Sequence, residues 1–326
     1  MRKMRKNGYV PQTVILILLI GALLSGCAST SRNGQDMPGY PNVSRPAGAK
    51  FVKPPQTMPE DPALHKPLPE MTAQDYEASG DLFMAHEDYA MAFVQYEKSL
   101  LVEPGNLRIH YKQGMLFLHT GKPGEAAAAF RDILQKEPRH AGAGEGLGTA
   151  YYEMKNYDLA EKHFLAALAV EPALWKSRNY LGNIYDFQEK FAQAAAAYAE
   201  AIRLKPDEGM LYNNLGVSLY LAGRYEESIQ AFHQALNAKG PKERVYNNMG
   251  LVLGKTGRYD AALDAFMKGS DSARAYNNLG CVYLSQGDHR RAAQAFNKAI
   301  ATSPKFYTLA HENLKKAQLE DSFGQR

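Results

Sequence analysis

The fold is decided by Leu181-Gly-Asn-Ile-Tyr185 and by Ala194, Tyr198, Ala201 and Pro206 behind it. Versions of this stretch recur along most of the chain, and a fixed period of this length is typical of repeat proteins. The versions share a glycine, and we refer to these seven residues as the packing glycines. They are 34 residues apart, except for one interval of 30: Gly80, Gly114, Gly148, Gly182, Gly216, Gly250 and Gly280.

Three other residue types keep a constant distance from the packing glycine. Twelve positions later a small residue suits a helix crossing, and sixteen positions later an aromatic residue suits the space between neighbouring hairpins. Twenty-four positions later a proline ends the second helix in five units. The small residues are Ala92, Ala126, Ala160, Ala194, Ser228, Ala262 and Ala292; the aromatic residues are Tyr96, Phe130, Phe164, Tyr198, Phe232, Phe266 and Phe296; the prolines are Pro104, Pro138, Pro172, Pro206 and Pro304.

This frame resembles the tetratricopeptide repeat, with Gly182, Tyr185, Ala194 and Tyr198 at that family's signature places. The resemblance implies an all-α protein, a right-handed superhelical solenoid of seven tetratricopeptide helix-turn-helix repeats plus a C-terminal capping helix. No single unit buries its apolar face, so the units must stack. The predicted units are 73–106, 107–140, 141–174, 175–208, 209–242, 243–272 and 273–306, and residues 307–326 are predicted to form the capping helix and tail.

Two units depart from the pattern. The sixth is four residues short, and its second helix is predicted to stop at Gly269 through left-handed backbone. In the third unit, Gly142-Ala-Gly-Glu-Gly-Leu-Gly148 is loosely similar to a phosphate loop, but no strand precedes it. Each extra glycine in a helix costs about 1 kcal/mol, so the sequence predicts a soft joint there.

The first 72 residues have a different composition. Residues 1–26 carry a basic patch and then an apolar run from Val14 to Leu24, which spans only about 16 Å as a helix and is typical of a signal peptide. Residues 28–72 hold nine of the seventeen prolines and show no apolar period. The sequence therefore predicts a signal peptide over 1–26 and a proline-rich disordered tether in the segment 27–72, which begins at Cys27.

Leu24-Ser-Gly-Cys27 resembles the bacterial lipobox, in which the cysteine is lipidated and becomes the mature N-terminus. The resemblance implies a lipid anchor on Cys27. Because Ala28 stands where an aspartate would favour the inner membrane, it also implies an outer-membrane, periplasm-facing lipoprotein. Several acyl chains would hold the protein firmly. An ordinary secretory signal with an incidental cysteine is the alternative.

The sequence Tyr-Asn-Asn precedes three of the packing glycines. In tetratricopeptide proteins the first helix of each unit lines a concave groove that holds a protein partner or an extended peptide. An asparagine amide both donates and accepts hydrogen bonds, so a row of them suits a peptide backbone; the alternative role is to cap or cross-link neighbouring helices. The candidate partner-binding residues are Asn179, Asn183, Asn213, Asn214, Arg244, Asn247, Asn248, Asn277 and Asn278.

Part of this set is similar to the arrangement by which some chaperone-binding repeat proteins hold a C-terminal carboxylate. Asn183, Asn214 and Arg244 occupy three of its five places, whereas Asn179 and Asn248 stand where it has lysine and arginine. A neutral groove that grips peptide backbone is therefore favoured over a strong carboxylate clamp.

Charge is unevenly distributed along the units. Without residues 1–26 the chain carries 34 basic and 34 acidic residues, which argues against a generic nucleic-acid binder. Units one to three hold nine basic and fifteen acidic residues, and units four to seven hold seventeen and twelve. An acidic partner segment is expected to prefer the C-terminal half.

Patterns of catalysis are missing from the sequence. No two of the nine histidines have metal-ligand spacing on one helix face, and two cysteines cannot build a thiolate cage. There is no nucleophile elbow and no Walker loop. The sequence therefore predicts a non-enzyme with no catalytic residue, metal, cofactor or small-molecule substrate.

A second resemblance concerns function. The short unit, Ala275-Tyr-Asn-Asn-Leu-Gly-Cys-Val-Tyr-Leu284 and Ser303-Pro-Lys-Phe-Tyr307 are similar to the lipoprotein of tight-adherence (Tad/Flp) pilus assembly systems. That likeness implies a scaffold that helps to place the outer-membrane secretin of a pilus or secretion machine. One alternative is an adaptor that gathers peptidoglycan hydrolases or synthases, and another is an assembly factor for outer-membrane proteins.

Overall fold

The structure is a computed structural model that describes residues 71–303, 305 and 307–324. The predicted signal peptide, Cys27, the tether up to residue 70 and Pro304 lie outside the described residues. Among the helices between residues 71 and 324, none is both long enough and apolar enough to cross a membrane.

This part of the chain folds into fifteen α-helices and no strand, which confirms the predicted all-α repeat solenoid. The first helices of the units are α1 (Ala73–Ala85), α3 (Leu107–His119), α5 (Ala141–Glu153), α7 (Trp175–Phe187), α9 (Gly209–Leu221), α11 (Glu243–Lys255) and α13 (Ser272–Ser285). The second helices are α2 (Tyr89–Val102), α4 (Pro123–Lys136), α6 (Tyr157–Val170), α8 (Phe191–Leu204), α10 (Tyr225–Asn237), α12 (Tyr259–Gly269) and α14 (His289–Thr302), and α15 (Thr308–Gly324) follows them.

Side-chain caps fix where several helices begin. The hydroxyl of Thr72 accepts from the backbone of Asp75, and the Asp75 carboxylate accepts from the backbone of Thr72, which completes a capping box at the start of α1. Asp88 at α2 and Asp288 at α14 each accept from a backbone N–H three residues ahead. Each cap satisfies N–H groups that have no partner inside the helix.

The helices form two layers. Each first helix contacts the second helix of its own unit, and from α3 onward it also contacts the first helix of the next unit. Each second helix packs between the first helix of its own unit and the first helix of the following one. The first helices therefore form a continuous inner layer, to which α15 adds a last member by packing on α13 and α14.

Each packing glycine lies under the aromatic ring of its own unit. A Cβ atom built on Gly216 would lie 2.6 Å from Phe232, and in the other units the corresponding distance is between 2.5 and 2.7 Å. All seven rings are buried. The Phe130 ring also meets Gly146 of the following unit, 2.4 Å from a Cβ built there. The ring therefore sets the spacing inside a hairpin and also fills the space to the next one.

In every unit, left-handed backbone occurs seven residues after the packing glycine, in the turn between the two helices; among the described residues it occurs elsewhere only at Gly240, between α10 and α11. Four units have glycine there, whereas three use larger residues. A side chain costs about 1 kcal/mol or more in this conformation, so the turn geometry is imposed by the packing of the hairpin and not by the local sequence. The seven residues are Glu87, Gly121, Lys155, Glu189, Gly223, Gly257 and Gly287.

The prediction that Gly269 stops its helix through left-handed backbone is wrong. It is the last residue of α12 and does not belong to the residues with left-handed backbone. A Cβ atom on it would lie 2.7 Å from the carbonyl oxygen of Glu243 and 2.8 Å from the Asn247 side chain. Gly269 is therefore needed because the shortened α12 approaches α11 closely.

The glycine-rich stretch of the third unit is continuous helix within α5. Two of its additional glycines make close contacts. Gly146 meets the Phe130 ring, and a Cβ atom built on Gly144 would lie 3.2 Å from the Cβ of Ala167. A phosphate loop is therefore absent from α5, and these glycines have packing roles.

We expect Gly216→Leu to lower the free energy of unfolding by more than about 2 kcal/mol, because the new side chain would overlap the buried Phe232 ring. Gly124→Leu is the matched control, since a Cβ at Gly124 meets nothing within 4 Å. Urea unfolding of both variants measures the difference. Equal losses would contradict the role given to the glycine–ring contact.

Candidate functional site: the inner layer of first helices

Two positions of the inner layer link neighbouring units. They lie three and two residues before each packing glycine, and we refer to them as positions −3 and −2. Position −3 holds Glu77, Tyr111, Glu145, Asn179, Asn213, Asn247 and Asn277; position −2 holds Ala78, Lys112, Gly146, Tyr180, Asn214, Asn248 and Asn278.

In the fourth to sixth units these positions form a chain of amide hydrogen bonds. Asn214 Nδ2 donates to Asn179 Oδ1 over 2.9 Å, and Asn248 Nδ2 donates to Asn213 Oδ1 over 2.9 Å. Asn213 Nδ2 lies 3.5 Å from Asn214 Oδ1 and joins the two pairs. Position −2 of one unit thus bonds position −3 of the unit before it, so the asparagines tie α7, α9 and α11 together.

The same pairing occurs with charged side chains in the first two units. Lys112 Nζ, at position −2, lies 2.6 Å from a carboxylate oxygen of Glu77, at position −3. Arg108 also pairs with Glu77, and Lys112 reaches Asp81 at 2.6 Å. Glu77 is buried, so its charge requires these partners. Positions −3 and −2 of neighbouring units are therefore paired in the same way by amide hydrogen bonds in one part of the array and by an ion pair in another.

The shortened unit interrupts the series. Asn247 Nδ2 donates to the Gly269 carbonyl oxygen over 3.0 Å and does not bond Asn278, while Asn247 Oδ1 is buried without a partner among the described residues. Pairing resumes at the end of the array, where Asn313 of α15 donates to Asn277 Oδ1 over 3.0 Å. Because α12 ends early, Asn247 bonds the last residue of α12 in its own unit and not the following unit.

The predicted partner-binding residues therefore have different surroundings. Asn179, Asn248 and Asn277 are at most 7% exposed. Asn183 Oδ1 lies 2.7 Å from the Tyr198 hydroxyl, which is also 2.9 Å from Asp186 Oδ2, and Arg244 is exposed. The structure gives most of the asparagine amides bonds between helices, the alternative role in the sequence analysis, and it does not gather the set into one pocket. The Tyr-Asn-Asn motif does not point to Asn313 or to the pair of Lys112 with Glu77. In both cases, however, the bonded residues are separated by nearly one repeat length.

Asp186 is the most perturbed carboxylate of the layer. Its Oδ1 accepts from the Ser218 hydroxyl over 2.6 Å, and its Oδ2 lies 2.9 Å from the hydroxyl of Tyr198. Burial raises the pKa of Asp186 to about 6, and the two hydroxyl donors oppose the rise only in part. The site links the fourth and fifth units through a single carboxylate.

A cavity of about 240 Å³ opens on the inner layer between α3, α5 and α7. Burial raises the pKa of Tyr111, helped by the charge of Glu145, and burial raises the pKa of Tyr180, helped by Glu153 and Glu145. Desolvation at the cavity raises the pKa of Glu153 although this residue is exposed, and the charge of His119 opposes the rise. The lining residues are Tyr111, Met115, Leu118, His119, Glu145, Gly146, Thr149, Glu153, Lys176 and Tyr180. No motif of the sequence indicates this cavity.

Family comparison agrees with this geometry. The tetratricopeptide repeat family matches residues 77–145, 111–176 and 180–243, and further matches cover 243–271 and 273–306. The chain belongs to the tetratricopeptide repeat family. Tetratricopeptide repeats indicate a protein-interaction scaffold, with partners held in a groove.

Solved structures share the fold of this tetratricopeptide repeat protein. A tetratricopeptide repeat protein from Parabacteroides merdae is 17% identical with a TM-score of 0.54, covering 76% of this chain and 98% of that one. The APC/C hetero-tetramer Cut9–Hcn1 is 20% identical with a TM-score of 0.55, covering 75% and 48%. Pseudomonas aeruginosa pilF is 20% identical with a TM-score of 0.51, covering 66% and 97%. At these identities the likeness is one of fold alone.

Among curated proteins, Protein bimA of Emericella nidulans is 28% identical over 96 residues. The match covers 29% of this chain and 12% of bimA, so the chain spans only a small part of that relative.

We expect Asn248→Ala to lower the free energy of unfolding by about 1–2 kcal/mol, because Asn213 Oδ1 loses its donor in a largely buried place. Asn278→Ala is the control at the same position in the next unit, where the pairing is interrupted, and it should stay within about 0.5 kcal/mol of wild type. Denaturant unfolding measures the free energy of unfolding of both variants. If Asn278→Ala loses as much stability as Asn248→Ala, the hydrogen bond between Asn248 and Asn213 is not the cause.

Asp186→Asn should flatten part of the pH dependence of stability. Asp186 holds its proton more tightly in the folded than in the unfolded chain, so its ionisation destabilises the fold as pH rises from about 4 to about 7. Over that range the variant should gain about 2–3 kcal/mol relative to wild type. Unfolding at several pH values, with exposed Asp132→Asn as control, tests this; parallel curves for wild type and Asp186→Asn would refute the buried ionisation.

Proposed function

We propose that this protein is a non-catalytic scaffold, anchored to the outer membrane by a lipid on Cys27 and facing the periplasm. The observation that carries the proposal is the inner layer, since seven first helices present side chains along one surface and a cavity opens on it. An extended surface of this kind suits a polypeptide partner. The lipobox resemblance and the proline-rich segment before the repeats support the anchor.

In this proposal the scaffold assists the assembly of a pilus or secretion machine by placing its secretin subunits. The support is the sequence resemblance of the C-terminal units and the shortened sixth unit to tight-adherence pilus lipoproteins. The second candidate is an adaptor that gathers peptidoglycan hydrolases or synthases near the cell wall. The lipid anchor and the proline-rich segment favour it equally, because both functions need reach from the membrane.

Photocrosslinking in living cells separates the two. Arg244 is exposed and lies two units beyond Lys176, which lines the inner cavity, at the same place in the repeat. A photoreactive residue at Arg244 should capture a secretin subunit, whereas one at exposed Gln230 of the second helix α10 should capture much less. Capture of an amidase or endopeptidase at Arg244 supports the adaptor instead. Equal capture from both positions would contradict a groove-bound partner.

Cys27→Ser tests the anchor separately. Without the thiol no acyl chain can be attached, so the variant should leave the membrane fraction while the melting temperature of its repeats stays that of wild type. Fractionation of cells followed by immunoblotting measures the change, with Cys281→Ser as the matched control. Undiminished membrane association of Cys27→Ser would refute lipidation.

A further inference from the structure

The cavity between α3, α5 and α7 differs from the rest of the inner layer because its position −2 residue is Gly146. Lysine, tyrosine or asparagine occupies that position in the second and in the fourth to seventh units. A Cβ on Gly146 would lie 2.4 Å from the Phe130 ring, so the packing of the second and third units requires a residue without a side chain at this position. The cavity is therefore lined at position −2 by backbone alone.

Two carboxylates line this cavity. Glu145 is half-buried, and Glu153 is exposed. One oxygen of Glu145 accepts from the backbone and the hydroxyl of Ser177, over 3.1 and 2.6 Å. Within 71–303, where Glu77 and Asp81 are paired with Arg108 and Lys112, neither Glu145 nor Glu153 takes part in an ion pair. The two cavity carboxylates thus have no salt-bridge partner within this range.

Two basic side chains, His119 and Lys176, also line the cavity, and the charge of His119 favours the ionised form of Glu153. Lys176 is exposed, and its Nζ lies 5.8 Å from the ring centroid of Trp175. His119 stacks on Tyr89 with a centroid distance of 6.1 Å. The remaining walls include the rings of Tyr111 and Tyr180 and the side chain of Met115. Aromatic faces together with carboxylates attract cations, and arginine is favoured over lysine because its planar, weakly hydrated group stacks on rings.

We propose that this cavity binds an arginine side chain from an extended segment of the partner polypeptide, with Glu145 and Glu153 supplying the countercharge and Tyr111 and Tyr180 the contact surface. The inference rests on the proposed scaffold function and specifies the partner's chemistry at one end of the groove. The excess of acidic residues in the first three units adds long-range attraction for the same charge.

Peptide binding to the full-length protein tests the inference. The probe is a capped heptapeptide with a central arginine between glycines and serines, and the comparison peptide has glutamine in its place. Trp175 is the only tryptophan of the chain and directly precedes Lys176, which lines the cavity, so its fluorescence reports binding. We expect the arginine peptide to bind about tenfold more tightly than the glutamine peptide at low salt.

Three variants locate the site. Glu153→Gln keeps the shape of the side chain and should weaken the arginine peptide about fivefold. Thr149→Leu fills the cavity without changing its charge and should abolish saturable binding. Glu171→Gln, at the exposed C-cap residue that follows α6, is the matched control and should bind as wild type. Melting curves check that each variant is folded.

Equal affinity for the two peptides would overturn the inference, as would arginine binding that survives both Glu153→Gln and Thr149→Leu. Failure of this test is distinguishable from failure of the proposed function, because the crosslink at Arg244 lies in the sixth unit. Partner capture at Arg244 without arginine preference would reject the cavity inference alone.

Discussion

The contact between a glycine and an aromatic ring sets the geometry of every unit. Because a Cβ on the glycine would overlap the ring, the two helices of a hairpin approach at one fixed separation. Repeating that separation seven times orders the first helices into one layer. Buried rings at constant spacing then leave the inner surface free to vary, and chemistry specific to this protein lies there.

The inner layer has two parts with different properties. In the fourth to sixth units, asparagine amides at positions −3 and −2 satisfy one another across the helices. In the second to fourth units, a cavity is lined by Gly146 at position −2 and by two carboxylates that form no salt bridge within residues 71–303. A surface that satisfies its own hydrogen bonds gains less from a ligand than one that does not, because bonds to the ligand would replace bonds already made. The open cavity is therefore the stronger candidate for specific recognition.

Much of the fold follows from the sequence, since glycine, alanine and aromatic residues recur at one phase and small residues have few alternatives at a helix crossing. The reason for Gly269 could not be read in the same way. A glycine after a helix suggests left-handed backbone, but here it admits a carbonyl oxygen and an asparagine side chain from α11. The left-handed backbone at Lys155 and Glu189 could not be predicted from the residue types either, because the packing of the hairpin imposes this conformation on residues that disfavour it. The direction of each asparagine side chain depends on neighbours 35 residues away, which no local pattern specifies.

The central claim is that partners lie against the first helices, with their strongest contacts at the cavity. Hydrogen–deuterium exchange of the protein, free and bound to the partner captured by crosslinking, tests it most directly. The account predicts slower exchange in α3, α5 and α7, with little change in α4, α6 and α8. Protection confined to the second helices would contradict it.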